Sequence, residues 1–201
     1  GAISMASGES KWITGEEARA DVQYWRARSD AIISGVGSVL HDNPRLTLRR
    51  TDYEGVKQPI RVILDSRFRT PRNANVLTDG APTLVVSDGG LECFGSLSPS
   101  VLEELVGIEL DGPQDLENLL KVLASLGCND VLVEAGPKVV SSFLKGDYWD
   151  EWISYVAPKL LGRESRSLTD LDIVSIHDGL PAQVRERKMF GSDLRLVLRP
   201  A

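Results

Sequence analysis

The sequence predicts an α/β fold: a mixed, mainly parallel sheet flanked by helices, with a C-terminal antiparallel hairpin. Three observations lead there. Short apolar runs such as Ile60–Leu64 and Thr83–Ser87 alternate with amphipathic helical patterns through residue 145. Several of these runs lack polar alternation, which is how strands covered on both faces read. Near the C-terminus the pattern changes: Gln183–Met189 and Asp193–Arg199 flank Phe190-Gly191-Ser192 and read as a hairpin.

Composition narrows the function class. The 201 residues fit one ordinary domain, and 42% apolar content is enough for a sizeable core. The 23 basic and 29 acidic residues give a net charge of −6. That balance disfavours a broad nucleic-acid surface and permits a local basic pocket. No run approaches the roughly 18 apolar residues of a membrane span. The start, GAISMASGES, lacks the regions of a secretory signal, so the expectation is a soluble cytoplasmic protein. Cys93 and Cys128 lie far apart without C-x-x-C spacing, which points to neither a metal site nor a disulfide framework.

The elements follow in order. Thr14-Gly-Glu-Glu17 has capping-box spacing, and Ala18, Val22 and Trp25 then mark one face of a helix over about residues 15–28. Its last turns carry Arg26 and Arg28, which complement the helix dipole. Asp30–Ser34 reads as a strand. Gly35 to Pro44 reads as a glycine-rich turn, a short helix and a stop. Alternation of Leu46 and Leu48 predicts an extended segment with Arg45, Thr47 and Arg49 on the other face, followed by Arg50. Residues 51–58 are a polar linker. Ile60–Leu64 is a strand ending in Asp65-Ser66, with Arg67 and Arg69 beyond. Thr83–Ser87 is another strand, 88–100 reads as a loop, and Gly107–Leu110 as a short strand. Asp115 caps a helix whose apolar face is Leu116, Leu119, Leu120, Leu123 and Leu126, and Gly127 ends it.

The stretch from Val131 to Gly162 organises the rest. Val131–Val133 is a strand, Glu134 follows at once, and Ala135-Gly136-Pro137 turns the chain into a helix. Such a strand-turn-helix aims backbone amides at whatever lies beyond the strand, and phosphate is a common guest. Trp152–Ala157 is a further strand. In a parallel sheet ligands gather outside the carboxyl ends of strands, where Ser34, Ser66, Ser87 and Glu134 are expected to meet.

The chemistry on offer is limited. His41 and His177 are the only histidines, and the H-x-E with P-C-x-x-C pattern of zinc nucleobase deaminases is absent. So are the G-x-S-x-G elbow and the Walker phosphate loop. Carboxylates at Asp42, Asp65 and Glu134, arginines at 26, 49, 67 and 69, and amide-rich turns can hold an anionic ligand without a strong nucleophile. Hydride transfer needs little more, because the cofactor carries the reactive atom.

Taken together, Ser7-Gly-Glu-Ser-Lys-Trp-Ile-Thr14, Arg19-x-Asp-Val-Gln-x-x-Arg26, Gly35-x-x-Ser-Val-Leu-x-Asp42-x-Pro-x-Leu-Thr-x-Arg49, Leu64-Asp-Ser66, Val133-Glu-Ala-Gly-Pro137 and Ala157-Pro-Lys-Leu-Leu-Gly162 resemble one family. It is the reductase domain of the bacterial riboflavin-biosynthesis bifunctional deaminase/reductase. The resemblance covers nearly the whole chain. It implies a dihydrofolate-reductase-like fold and NADPH-dependent reduction of the ribose of 5-amino-6-(5-phosphoribosylamino)uracil to the ribityl product.

The resemblance further implies substrate contacts at Ser10, Arg26, Leu46, Arg49 and Glu134, with the arginines on the substrate phosphate. It puts Trp12, Ser38, Asp42 and Ser66 at the cofactor, together with Gly136, Pro137, Lys138, Val139, Val140, Ser141 and Ser142. Asp42 and Glu134 are its catalytic candidates, a bound water being the third source of the proton. Arg67 and Arg69 both stay open for the extra phosphate of NADPH, no metal is implied, and Trp25 is expected in the core. A homodimer is implied, with Tyr148-Trp149-Asp-Glu-Trp152 as a candidate surface, and a deaminase domain fused or supplied separately. The family's first strand should precede Met5, where only Gly1–Ser4 stands, so that strand is expected to be missing or truncated. The residues alone also admit a related reductase of a pteridine or other heterocycle, or a non-catalytic nucleotide-binding domain.

Overall fold

The computed structural model describes residues 1–49, 51–97, 105 and 110–201. The expected strand at 107–110, apart from Leu110, and Arg50 lie outside the described residues. The chain divides into two units, one of Gln23–Val139 and one of Gly1–Val22 with Val140–Ala201.

The first of these is built on a five-stranded sheet. Its strands are β2 (Ala31–Gly35), β3 (Ile60–Leu64), β4 (Thr83–Ser87), β5 (Gly90–Phe94) and β6 (Val131–Val133). They run in the order β5-β4-β3-β2-β6, parallel except for β5. Every residue of β2, β3 and β4 is buried, which is why these strands read as mainly apolar runs without polar alternation, Arg61 being the charged exception. Helix α2 (Val36–Asp42) leaves β2 without an intervening loop, Gly35 serving as its N-cap. Val36 and Val39 then pack with Ile32, Ile63, Val76 and Val85 in one cluster. Helix α3 is Asn75–Thr78, and α4 spans Leu116–Ser125. In α4, Asp115 accepts the amide of Asn118, Leu116, Leu119, Val122 and Leu123 are buried, and Gly127 takes φ +81° just past the end.

Two expectations about this sheet are corrected. The antiparallel edge strand is β5, inside the segment read as a loop. Its pairing of Ser87 with Gly90 leaves Asp88-Gly89 as a two-residue hairpin connection, a strong turn dipeptide that glycine and serine on both sides obscure. Residues 45–49 do not run extended throughout. Leu46 and Leu48 are buried as the alternation required, but Leu46 sits at φ +52° in the left-handed region.

The second unit contains β1 (Ala2–Met5), antiparallel to β8 (Ser165–Ser167). It also contains β7 (Trp152–Val156), β9 (Ala182–Phe190) and β10 (Asp193–Pro200) in the order β7-β10-β9. The predicted hairpin is therefore present and forms, with β7, an antiparallel sheet of its own. In β10 every second residue from Asp193 to Val197 is buried. Buried Arg195 is matched by Asp21 and Glu186, and the Tyr155 hydroxyl donates to Asp21 as well. Helices α1 (Glu16–Arg28) and α5 (Pro137–Lys145) contribute residues to both units. Trp25, expected in the core, is half-buried, with its ring edge-on to Tyr24 at 5.3 Å.

Candidate active site

The site in the Gln23–Val139 unit is built on Glu134, one residue past the end of β6. Its backbone is fixed on both sides: the amide donates to Ile33 O at 2.9 Å, and its carbonyl accepts the Ser34 hydroxyl at 2.8 Å. Ser34, wholly buried in a strand, spends its hydroxyl on this tie. The Glu134 side chain is gripped by Arg26, whose Nε donates to Oε2 at 2.9 Å and whose terminal nitrogen donates to Oε1 at 2.6 Å. This two-point fork fixes the plane of the carboxylate. The third guanidinium nitrogen of Arg26 donates to Thr47 O at 3.0 Å. Arg26 is buried, whereas the Glu134 side chain keeps 35% of its surface exposed.

A positive field surrounds that carboxylate. Partial burial first, then the charge of Arg26, draw the Arg49 guanidinium below its ordinary value; Glu134 opposes the shift and Arg45 adds to it. The Arg49 guanidinium thus feels two other guanidinium groups and the Glu134 carboxylate. A cation made costly in this way gains from a nearby anion. Leu46 belongs to the same segment, but the residue is 3% exposed and sits in the core cluster.

The turn after Glu134 presents open backbone. A β-carbon on Gly136 or Gly37 would meet nothing within 4 Å, whereas one on Gly35 would stand 2.9 Å from Val139 Cγ2. Gly35 is therefore required for the first turn of α5 to lie against the end of β2. Pro137 takes the first position of α5, where its missing N–H costs no helix bond. Lys138 is exposed and Val139 half-buried; Ser38 is half-buried on α2, and Asp42 is exposed at the end of that helix. Asp42 thus lies about 9 Å along the α2 axis from Val36 at 1.5 Å per residue.

At the end of β3, Asp65 is fully buried, and its Oδ2 accepts both the amide and the hydroxyl of Thr70. Its Oδ1 has no hydrogen-bond partner among the described residues; Arg69 Nε lies 3.7 Å away in an ion pair. Ser66 and Arg67 are exposed on the loop so braced. Ser87, expected to join them, turns its hydroxyl to Gly90 O and the Gly89 amide and serves the β4–β5 turn.

Other expected residues belong to the second unit. Trp12 is 63% exposed, with the Arg19 guanidinium 4.1 Å from its ring centre and Lys159 Nζ donating to its carbonyl. Ser10 is half-buried, its carbonyl accepting the Ile13 amide. Of the α5 residues here, Val140 is half-buried and Ser142 exposed, while Ser141 is buried and its hydroxyl accepts the Asp170 amide at 2.7 Å. The Ser141 hydroxyl oxygen is thus committed to a loop tie. Among the described residues no cluster of histidine, cysteine, aspartate and glutamate could hold a metal ion, and no helix is long and apolar enough to cross a membrane.

The family model for the RibD C-terminal domain matches residues 1–194. The chain belongs to this family. It is 37% identical over 212 residues to the riboflavin biosynthesis protein RibD of Buchnera aphidicola subsp. Baizongia pistaciae, an alignment covering 98% of this chain and 56% of that protein. It is 33% identical to a protein of Buchnera aphidicola subsp. Acyrthosiphon pisum named 5-amino-6-(5-phosphoribosylamino)uracil reductase, covering 98% of this chain and 99% of that one. Among solved structures, Acinetobacter baumannii RibD (form 2) matches with TM-score 0.84 at 38% identity, over 100% of this chain and 55% of that chain. The chain spans little more than half the length of these RibD proteins. Its fold is the mixed, mainly parallel, dihydrofolate-reductase-like one that the sequence predicted.

In this RibD C-terminal domain three further side chains bear on the site that sequence reasoning left unassigned. Arg61 lies in the middle of buried β3 and pairs with Asp79 through two bonds of 2.9 and 2.8 Å. Its signal was visible: a charged residue inside an apolar run requires a buried partner. Gln23 and Gln58 carried no signal of their own, because a neutral amide fits a surface or a buried tie equally well.

Proposed function

We propose that this chain catalyses the NADPH-dependent reduction of the ribose of 5-amino-6-(5-phosphoribosylamino)uracil to the ribityl product, a step of riboflavin biosynthesis. The observation that carries this reading is the end-to-end alignment with a relative that bears the name of that reductase. The arginine-rich field around an oriented carboxylate supports it, since a phosphorylated heterocycle needs both. The same reading carries a homodimer in the cytoplasm, working with a deaminase domain fused or supplied separately.

The residues present fit a dinucleotide phosphate. The open backbone at Gly136 and the first turn of α5 suit a pyrophosphate, because the first amides of a helix have no partner within it. Ser38, Asp42 and Ser66 of the same unit would supply further contacts, and Arg67 or Arg69 the charge for the extra phosphate. When bound, NADPH supplies the hydride that the ribose carbonyl carbon gains. Arg49, with Arg45 beside it, holds the substrate phosphate. Arg26 acts through Glu134 and keeps its carboxylate turned to accept hydrogen bonds from the pyrimidine or ribityl end. The proton taken up by the carbonyl oxygen comes from Asp42, Glu134 or a water.

Following NADPH oxidation at about 340 nm with the deaminated phosphoribosyl substrate tests the reading. Binding of NADPH without any substrate-dependent oxidation overturns it. Glu134→Gln is expected to lower turnover or substrate affinity; if both stay unchanged, Glu134 has no part in the reaction.

A further inference from the structure

The segment that carries Arg45 and Arg49 has no strand or helix to hold it, and its hydrogen bonds are made by side chains instead. Arg61 donates to Arg45 O at 2.7 Å. Arg26 donates to Thr47 O. Gln58 pairs with Leu48 as a peptide unit would, its Oε1 accepting the amide at 2.9 Å and its Nε2 donating to the carbonyl at 3.3 Å. Gln23, 6% exposed, accepts the Arg49 amide at 3.0 Å. Upstream, Asn75 closes the other end through its amide to Asn43 Oδ1 and its side chain to Asn43 O.

A surface loop normally leaves most of these groups to water. Here side chains from α1, from β3 and from the segment before β3 converge on one stretch, and Leu46 and Leu48 anchor it from below. Holding so many side chains costs conformational entropy, and the arrangement yields a backbone set in one shape before any ligand arrives. Arg49, which this backbone presents, has its guanidinium drawn below its ordinary value by burial and by the charges of Arg26 and Arg45, against the opposing pull of Glu134.

We infer that Gln23 and Gln58 are positioning residues for an anion subsite on Arg45 and Arg49, fixing where those guanidinium groups meet a phosphate. The inference rests on the reading that these arginines hold the substrate phosphate. Gln23 lies within the Arg19-x-Asp-Val-Gln-x-x-Arg26 motif, so one helix supplies both a clamp on the segment and the grip on Glu134.

Three variants of the full chain test it: Gln23→Met, which keeps length and removes the acceptor; Gln58→Glu, which keeps the acceptor and removes the donor; and Arg49→Gln. Each is titrated with inorganic phosphate and assayed with the phosphorylated substrate and its dephosphorylated form, with melting temperature as a check on folding. The expected result for Gln23→Met is a Kd for phosphate raised about five- to tenfold, with a matching rise in KM for the phosphorylated substrate only. Gln58→Glu raises both less, because half of its clamp survives. A purely structural role lowers the melting temperature and affects both substrates equally, and that result overturns the inference. If Arg49→Gln weakens phosphate while the glutamine variants do not, the positioning role falls and the phosphate reading stands. If Arg49→Gln leaves phosphate affinity unchanged, the phosphate reading falls and takes the inference with it.

Discussion

Replacing Arg26 by methionine keeps most of the buried stem and removes a guanidinium that makes three hydrogen bonds, two to Glu134 and one to Thr47 O. Bonds to charged groups contribute roughly 1.5–3 kcal/mol each when measured singly, and less when they share a partner. Glu134 is one-third exposed, so its freed carboxylate regains water and the loss is smaller than for a sealed pair. We expect a net destabilisation of about 3 kcal/mol. At about 2–4 °C per kcal/mol for a chain of this size, the melting temperature falls by about 6–12 °C. The assay is a double-mutant cycle with Glu134→Gln, read by urea unfolding. A coupling energy of about 2 kcal/mol is expected. Additivity within about 0.5 kcal/mol would refute the reasoning, because it would mean that the fork does not hold the carboxylate in solution.

Three further outcomes follow from the same geometry. Gly35→Ala places a methyl against Val139 and is expected to cost about 1–2 kcal/mol in urea unfolding and to weaken NADPH binding in a fluorescence titration, because the start of α5 must back away. Leu123→Ala, at a fully buried position of α4, should lower stability by about 2–4 kcal/mol in the same unfolding assay. Burial acts to raise the carboxyl of Asp79, but hydrogen bonds from Arg61 and the Ala81 amide, with the charges of Arg61 and Arg45, outweigh it and hold the group below its ordinary value. The stability this adds is present above the unfolded carboxylate value of about 3.9 and is lost as pH falls through the folded one, so Asp79→Asn should flatten an acid-unfolding curve below about pH 4.

Most of the scaffold was legible because its physics is local. The buried strands declared themselves by apolar runs, α4 by its Asp115 cap and Gly127 stop, and the hairpin by Gly191 between two alternating stretches. The position of Glu134 beyond a strand end followed from the same reading. The pairing of Arg26 with Glu134 did not, because 108 residues separate them and no periodicity connects them. Sequence reasoning could recognise both residues as polar groups near a cleft, but not that one spends itself on the other. The segment from Arg45 to Arg49 failed for a related reason. Its leucine alternation marks the buried side of an extended segment, yet Gln23, Gln58 and Arg61 satisfy its backbone from elsewhere in the chain, and nothing in the segment itself records that.

The backbone ties of Glu134 also bear on local opening. Strand β6 has three residues and lies at the sheet edge, where fraying is expected. Yet the Glu134 amide continues the ladder onto Ile33, and the Ser34 hydroxyl secures the carbonyl that follows. In hydrogen exchange the Glu134 amide should therefore be retained with the slow amides of β2, while Gly136, two residues on, exchanges early. The boundary between the slow and fast parts of the chain then falls immediately beside the carboxylate, so a ligand that slows Gly136 alone can be followed at a single amide.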